Sequence, residues 1–136
     1  MTSIYLAGPL FSAAEMRFNV ELSEFLKKNG FEVFLPQMEC LNKSTEEIYQ
    51  ICKAGVEAAN VVVAIMDGAD ADSGTCWECG YAAAKNTPII LVRTDIRDSG
   101  DTRGFNAMLY YSAFAVVEER INYAEKILEV LKKLPS

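Results

Sequence analysis

Three acids carry the chemistry this chain could do. Asp67 ends an unbroken apolar run, Asp72 follows five residues later, and Glu78 comes six residues after that. Histidine is absent from all 136 residues, so acid–base work falls on carboxylates, Tyr or Lys. Closely placed carboxylates suit reaction at an anomeric carbon. One ionised carboxylate attacks or stabilises the electron-poor centre, while a second, protonated, helps the leaving group depart. Like charges in one pocket raise at least one pKa, which supplies the protonated acid. On this reading Glu78 is the nucleophile and Asp67 or Asp72 the acid. The rival use of three carboxylates is a Mg²⁺ site with a phosphate partner.

The elements that must position these acids follow from the apolar pattern. Residues 61–66 (VVVAIM) predict a strand buried on both faces, followed by a loop holding Gly68, Asp70, Asp72 and Gly74. Ser73 and Thr75 are natural N-caps for an alanine-rich helix reaching about Asn86. Glu78 then falls in or near the first turn, where the helix dipole favours an ionised carboxylate. Asp67 and Asp72 lie at the carboxyl edge of the sheet, where open α/β sheets bind ligands.

Upstream, residues 3–7 predict a strand turned by Gly8-Pro9, and a helix runs from Ser12 or Ala13 to about Asn29, ended by Gly30. Residues 31–35 predict a second strand, stopped by Pro36, and 37–43 a loop. Ser44 and Glu47 form a capping box for a helix to about Ala59. Downstream come a strand at 89–93, an exposed loop at 94–104, a short helix at 105–111, a strand at 113–117 and a closing helix at 119–134. This alternation predicts a single three-layer α/β domain over 1–136, flavodoxin- or Rossmann-like, with five parallel strands in the order 2-1-3-4-5 and helices on both faces. The loop Gly8-Pro9-Leu10-Phe11 then faces the loop carrying Asp72, and Tyr5 can reach Glu78.

Composition narrows the partners. A net charge of −6 disfavours nucleic acid and anionic membranes. No apolar run approaches the roughly 20 residues that span a bilayer. The N-terminus lacks the basic region of a signal peptide, so a cytoplasmic protein is expected. Neither G-x-G-x-x-G nor G-x-x-x-x-G-K-[ST] occurs, which leaves dinucleotide and nucleoside triphosphate cradles unsupported. Arg17 and Arg93 are the basic candidates near the site, and both also read as surface charges. Cys76 and Cys79 bracket Glu78 without the context of a redox motif, and Cys40 and Cys52 lack paired spacing. The four cysteines read as buried or semi-buried thiols.

IYLAGPLF (residues 4–11), DGADADSGTCWECGYA (67–82) and Asn106-x-Met108 resemble, in order and over nearly the whole chain, the nucleoside 2-deoxyribosyltransferases. The most specific part is the segment with Asp72, Gly74, Thr75, Glu78, Gly80 and Ala82. The resemblance implies that Glu78 attacks C1′ of a deoxynucleoside and expels the base, leaving a covalent deoxyribosyl-enzyme that a second base attacks with overall retention. It gives Tyr5 the orientation of the nucleophile, and Asp67 and Asp72 the binding of the base and the handling of its proton. Asn106 and Met108 are implied to enter the sugar pocket of a neighbouring subunit, while Gly8, Phe11, Gln37 and Gly74 match substrate-lining positions. No cofactor or metal is implied. The implied partners are a deoxynucleoside, a free nucleobase and further copies of the chain, as a dimer or higher assembly of dimers with shared sites.

Two other functions fit the same pocket. A hydrolase would use water in place of the acceptor base, on nucleosides or their monophosphates. A monophosphate hydrolase needs phosphate-binding hydroxyls and a basic group, and the first loop offers only Ser12. A non-catalytic nucleoside- or nucleotide-binding module would keep the pocket without turnover. Each residue also has a plain structural use: Asp72 as a cap, Asp67 as a turn residue, Tyr5 in a strand, and Trp77 and Tyr81 in packing.

Overall fold

The computed structural model describes residues 1–95, 102 and 104–135. In chain order the elements are β1 (Ser3–Ala7), α1 (Ala13–Lys28), β2 (Glu32–Phe34), α2 (Pro36–Glu39), α3 (Thr45–Ala58) and β3 (Val61–Ile65). They continue with α4 (Ser73–Ala84), β4 (Ile89–Arg93), α5 (Ala107–Ser112), β5 (Ala115–Glu118) and α6 (Tyr123–Leu131). All strand pairs are parallel and the order is β2-β1-β3-β4-β5, as the sequence predicts. None of the described helices is long and apolar enough to cross a membrane.

The central strands β3 and β4 are buried at every position because both their faces are covered. Successive side chains point to opposite faces, so the core divides in two. Ile4, Leu6, Val61, Val63 and Ile65 pack with Leu22, Leu26 and Ile127 of α1 and α6. Tyr5, Ala7, Val62, Ala64 and Met66 pack with Val56, Cys79, Ala82 and Leu109 of α3, α4 and α5. This division decides which acids can meet.

Several boundaries differ from the sequence reading. Residues 36–39 form a short helix rather than a loop, because Pro36 sits at its first turn, where a missing N–H costs nothing. Helix α4 starts at Ser73 with Asp72 as its cap, since the Asp72 carboxylate accepts from both Thr75 N (3.0 Å) and Thr75 Oγ1 (2.9 Å). Ala113 caps the end of α5, which delays β5 to Ala115, and α6 begins at Tyr123. Of the loop expected at 94–104, residues 96–101 and 103 lie outside the described residues.

Candidate active site

Tyr5 lies at the middle of β1 and is fully buried, with its ring stacked on Phe34 of β2 at 5.1 Å and 15°. Phe34 lies in turn against α3 at Gly55, where an added Cβ would sit 2.8 Å from the ring. That stack fixes the direction of the phenol. The Tyr5 hydroxyl donates a short hydrogen bond to Glu78 Oε2, joining β1 to α4. Burial, then the charge of Glu78, push the phenol well above its usual range, so it stays protonated and remains a donor.

Glu78 sits in the second turn of α4, because Asp72 is the cap and the first turn is spent on Ser73, Gly74 and Thr75. The helix dipole acts mainly within the first turn, so the expected stabilisation of an ionised Glu78 by that route is lost. Its pKa is raised to about 7. Burial is the main cause, the neighbouring Asp72 charge adds to it, and the Tyr5 hydrogen bond opposes it. The upward push therefore falls on the expected nucleophile.

Glu78 and Asp72 line one cavity of about 460 Å³ together with Gly8, Phe11, Gln37 and Gly74. Leu10, Met16, Pro36, Leu41 and Ile48 make its walls apolar, and Cys40 and Cys52 complete them. No Lys or Arg is among the described residues that line it. Gly8 follows from packing: a Cβ there would meet Ile65 Cβ at 3.0 Å, so the end of β1 could not lie so close to β3. Phe11 is 76% exposed at the cavity rim.

Two residues that set this wall escaped the sequence reading. Buried Asn19 of α1 donates through Nδ2 to Pro9 O and to Gln37 Oε1, both at 3.0 Å, and Gln37 Nε2 donates to Met16 O at 2.9 Å. This network holds the Gly8–Phe11 turn against α2. Its signal was present, since Asn19 falls on the same helical stripe as Leu22 and Leu26. Phe34 is the second, read only as part of a strand.

The structure does not bring the remaining residues to Glu78. Asp67 continues the pleat of Val61, Val63 and Ile65 and borders another cavity with Pro9, Phe18 and Asp95. Its Oδ1 accepts from Thr94 N at 2.6 Å and Asp95 N at 3.4 Å, and its Oδ2 from Thr94 Oγ1. Beside it Arg93 is buried rather than on the surface, bonded to Asp95 (2.7 Å), Gly68 O (3.1 Å) and Gly104 O (2.9 Å). Asn106 caps α5 by accepting from Met108 N at 2.8 Å, and Met108 is 81% exposed. Both border a third cavity between α4 and α5, with Ser73 and Arg93. Trp77 stacks on Tyr81 (5.2 Å) and meets Tyr49 of α3 edge-on (5.8 Å), on the outer side of α4.

Solved structures share this fold. A conserved protein from Enterococcus faecalis V583 is 27% identical, covering 96% of this chain and 99% of its own, with a TM-score of 0.77. A 2-deoxyribosyltransferase from Leishmania mexicana is 20% identical, covering 98% and 100%, with a TM-score of 0.78. A CMP N-glycosidase from Clostridium botulinum is 19% identical, covering 96% and 99%, with a TM-score of 0.64. No curated protein matches the chain in sequence. The family model for nucleoside 2-deoxyribosyltransferase matches residues 4–131, all but the first three and last five positions. The chain belongs to the nucleoside 2-deoxyribosyltransferase family of enzymes.

Proposed function

We propose that this protein exchanges the base of 2′-deoxyribonucleosides through a covalent deoxyribosyl–Glu78 intermediate. The observation that carries the reading is the pairing of a desolvated Glu78 with the Tyr5 hydroxyl beside Asp72, in an apolar cavity lined by no cation among the described residues. Ionised Glu78 attacks C1′ as the C1′–N bond breaks, and the base leaves with the bonding pair. Asp72 relays to the departing nitrogen a proton taken up from solvent. Its cap bonds both fall on Oδ2, which leaves Oδ1 for the base. An incoming base then attacks C1′, returns the proton to Asp72 and frees Glu78, so that two displacements give retention. Phe11 and Gln37 frame the base, and Gly8 and Gly74 allow close approach. Asp67 acts at one remove, by fixing the β3–β4 edge. No cofactor takes part.

Asn106 and Met108 serve a neighbouring subunit. Their exposure on α5, apart from their own chain's Glu78, supports that reading, and with it an oligomer with shared sites. The second reading, hydrolysis of a nucleoside or its monophosphate, draws on the likeness to the CMP N-glycosidase. The lining is acidic and holds no cation among the described residues, which weighs against a phosphomonoester beside Asp72 and Glu78.

Incubation with 2′-deoxyinosine, with and without adenine, tests the reading. Deoxyadenosine formed only when adenine is present is the expected result. Release of hypoxanthine and free deoxyribose without exchange would replace transfer by hydrolysis. Binding without either product would leave only a binding module.

A further inference from the structure

Cys40 and Cys52 lie 12 residues apart in the chain, and α2 with the following turn folds them together until their sulfurs stand 3.6 Å apart. Cys40 is the C-cap of α2 and Cys52 belongs to α3. Both line the cavity that holds Glu78, and the Cys52 thiol is close enough to the Tyr5 hydroxyl for the two to interact. The pair therefore sits one contact away from the group that orients the candidate nucleophile. All four cysteines are free, so the pair is in its reduced form.

We propose that Cys40 and Cys52 are a modification site, a thiol–disulfide couple oxidised by a low-molecular-weight disulfide, and that its oxidised form closes the site. The effect on turnover rests on the base-exchange reading; the formation of the bond does not.

The chemistry balances without a cofactor. The Cys40 thiolate attacks one sulfur of the small disulfide, forms a mixed disulfide and releases one small thiolate. The Cys52 thiolate then attacks the Cys40 sulfur, forms the internal bond and releases the second. Two electrons pass from the cysteines to the oxidant, and their two protons end on the released thiols. Cys40 is the first attacker because its surroundings are open: Met38 is 56% exposed and Leu41 58%. Cys52 suits the resolving role because its sulfur stands 3.6 Å from that of Cys40, so that its attack on the mixed disulfide is intramolecular. Burial, which pushes its thiol up to about 12, keeps it from reacting first with solvent species. Cys79 is almost wholly buried on α4 and takes no part.

A disulfide brings its sulfurs to about 2.05 Å. From 3.6 Å, the two sulfurs must close by about 1.5 Å. That closure turns the Cys52 sulfur toward Cys40 and away from the Tyr5 hydroxyl. Displacement on the order of 1 Å at a reacting centre costs about a hundredfold in rate.

The full-length protein, fully reduced, is incubated with oxidised glutathione, its remaining thiols are capped and its peptides mapped. Exchange rate and deoxynucleoside affinity are measured before and after. Expected are a Cys40–Cys52 linked peptide, free thiols at Cys76 and Cys79, and exchange slowed by about ten- to a hundredfold and restored by dithiothreitol. In Cys40→Ser and in Cys52→Ser, the ratio of oxidised to reduced rate should stay near one. Four free thiols after the oxidant would overturn the proposal, as would a linked peptide with rate and affinity both unchanged. A reduced protein that exchanges no base overturns the base-exchange reading instead, while peptide map and affinity still decide the modification site.

Discussion

Asp67 and Glu78 are carboxylates at the same edge of the same sheet, on opposite faces and in opposite conditions. Asp67 takes two backbone N–H groups and a hydroxyl from residues 94 and 95, and next to it Arg93 binds Asp95 and two carbonyls. Glu78 has the Tyr5 hydroxyl, and burial together with the Asp72 charge raises its pKa to about 7. A carboxylate whose lone pairs are occupied holds chain segments in place. One that is desolvated and underprovided retains a lone pair, and a reason to use it. Sequence position alone does not separate the two; the direction of the pleat does.

Replacing Glu78 is the strongest way to break this contrast. Glu78→Gln should lower base exchange by at least about a thousandfold, the scale of losing a covalent nucleophile, while the protein stays folded. Stability should move the other way. Between the usual carboxyl value of 4.5 and about 7, folded Glu78 holds a proton that the unfolded chain has released. Stability from this group is thus present below 4.5, declines as pH rises to about 7, and stays low above it. Glu78→Gln removes that decline and should gain on the order of 1–3 kcal/mol over wild type at pH 8, read by urea unfolding. A variant less stable at pH 8 would overturn the claim that Glu78 is held at a cost.

Tyr5→Phe should have the next largest effect, roughly ten- to a hundredfold in kcat/KM from lost orientation. The hydroxyl favours ionised Glu78, so its removal should move the acid limb of the kcat/KM–pH profile upward from about 7. A limb that stays in place would mean that some other group titrates. Asp67→Ala should chiefly cost stability, about 1–3 kcal/mol, by orphaning the Thr94 donors. If it instead stopped turnover with unfolding unchanged, the division between the two carboxylates would be wrong. The smallest shift of the pH profile is expected from Asp72→Asn, which also lowers the rate by removing the proton relay. Asn still caps α4, and loss of the negative charge should move the acid limb slightly downward.

Much of this was legible in the sequence. The strand order, the cap at Ser44 and the Tyr5–Glu78 contact all follow from periodicity and punctuation. The placement of Asp67 was misjudged because the loop after β3 seemed to gather its acids on one side, whereas the strand's own alternation carries residue 67 to the α1 face. Glu78 was placed a turn too early because Ser73 and Thr75 also make good caps, and only geometry shows Asp72 taking both Thr75 donors. The Cys40–Cys52 approach was hidden by a helix of four residues, too short for periodicity to reveal.

The hydrogen bond from Tyr5 to Glu78 spans 73 residues of chain. Contacts so distant in sequence are slow to close, because much of the chain must be ordered before they form. β1 leaves the ribosome with Tyr5 long before α4 exists, and the stack of its ring on Phe34 of β2 gives it no partner for its hydroxyl until α4 is seated. The pair is therefore a late product of folding. After dilution from denaturant, helical signal should return before exchange activity does, and no partly folded chain should carry a working nucleophile.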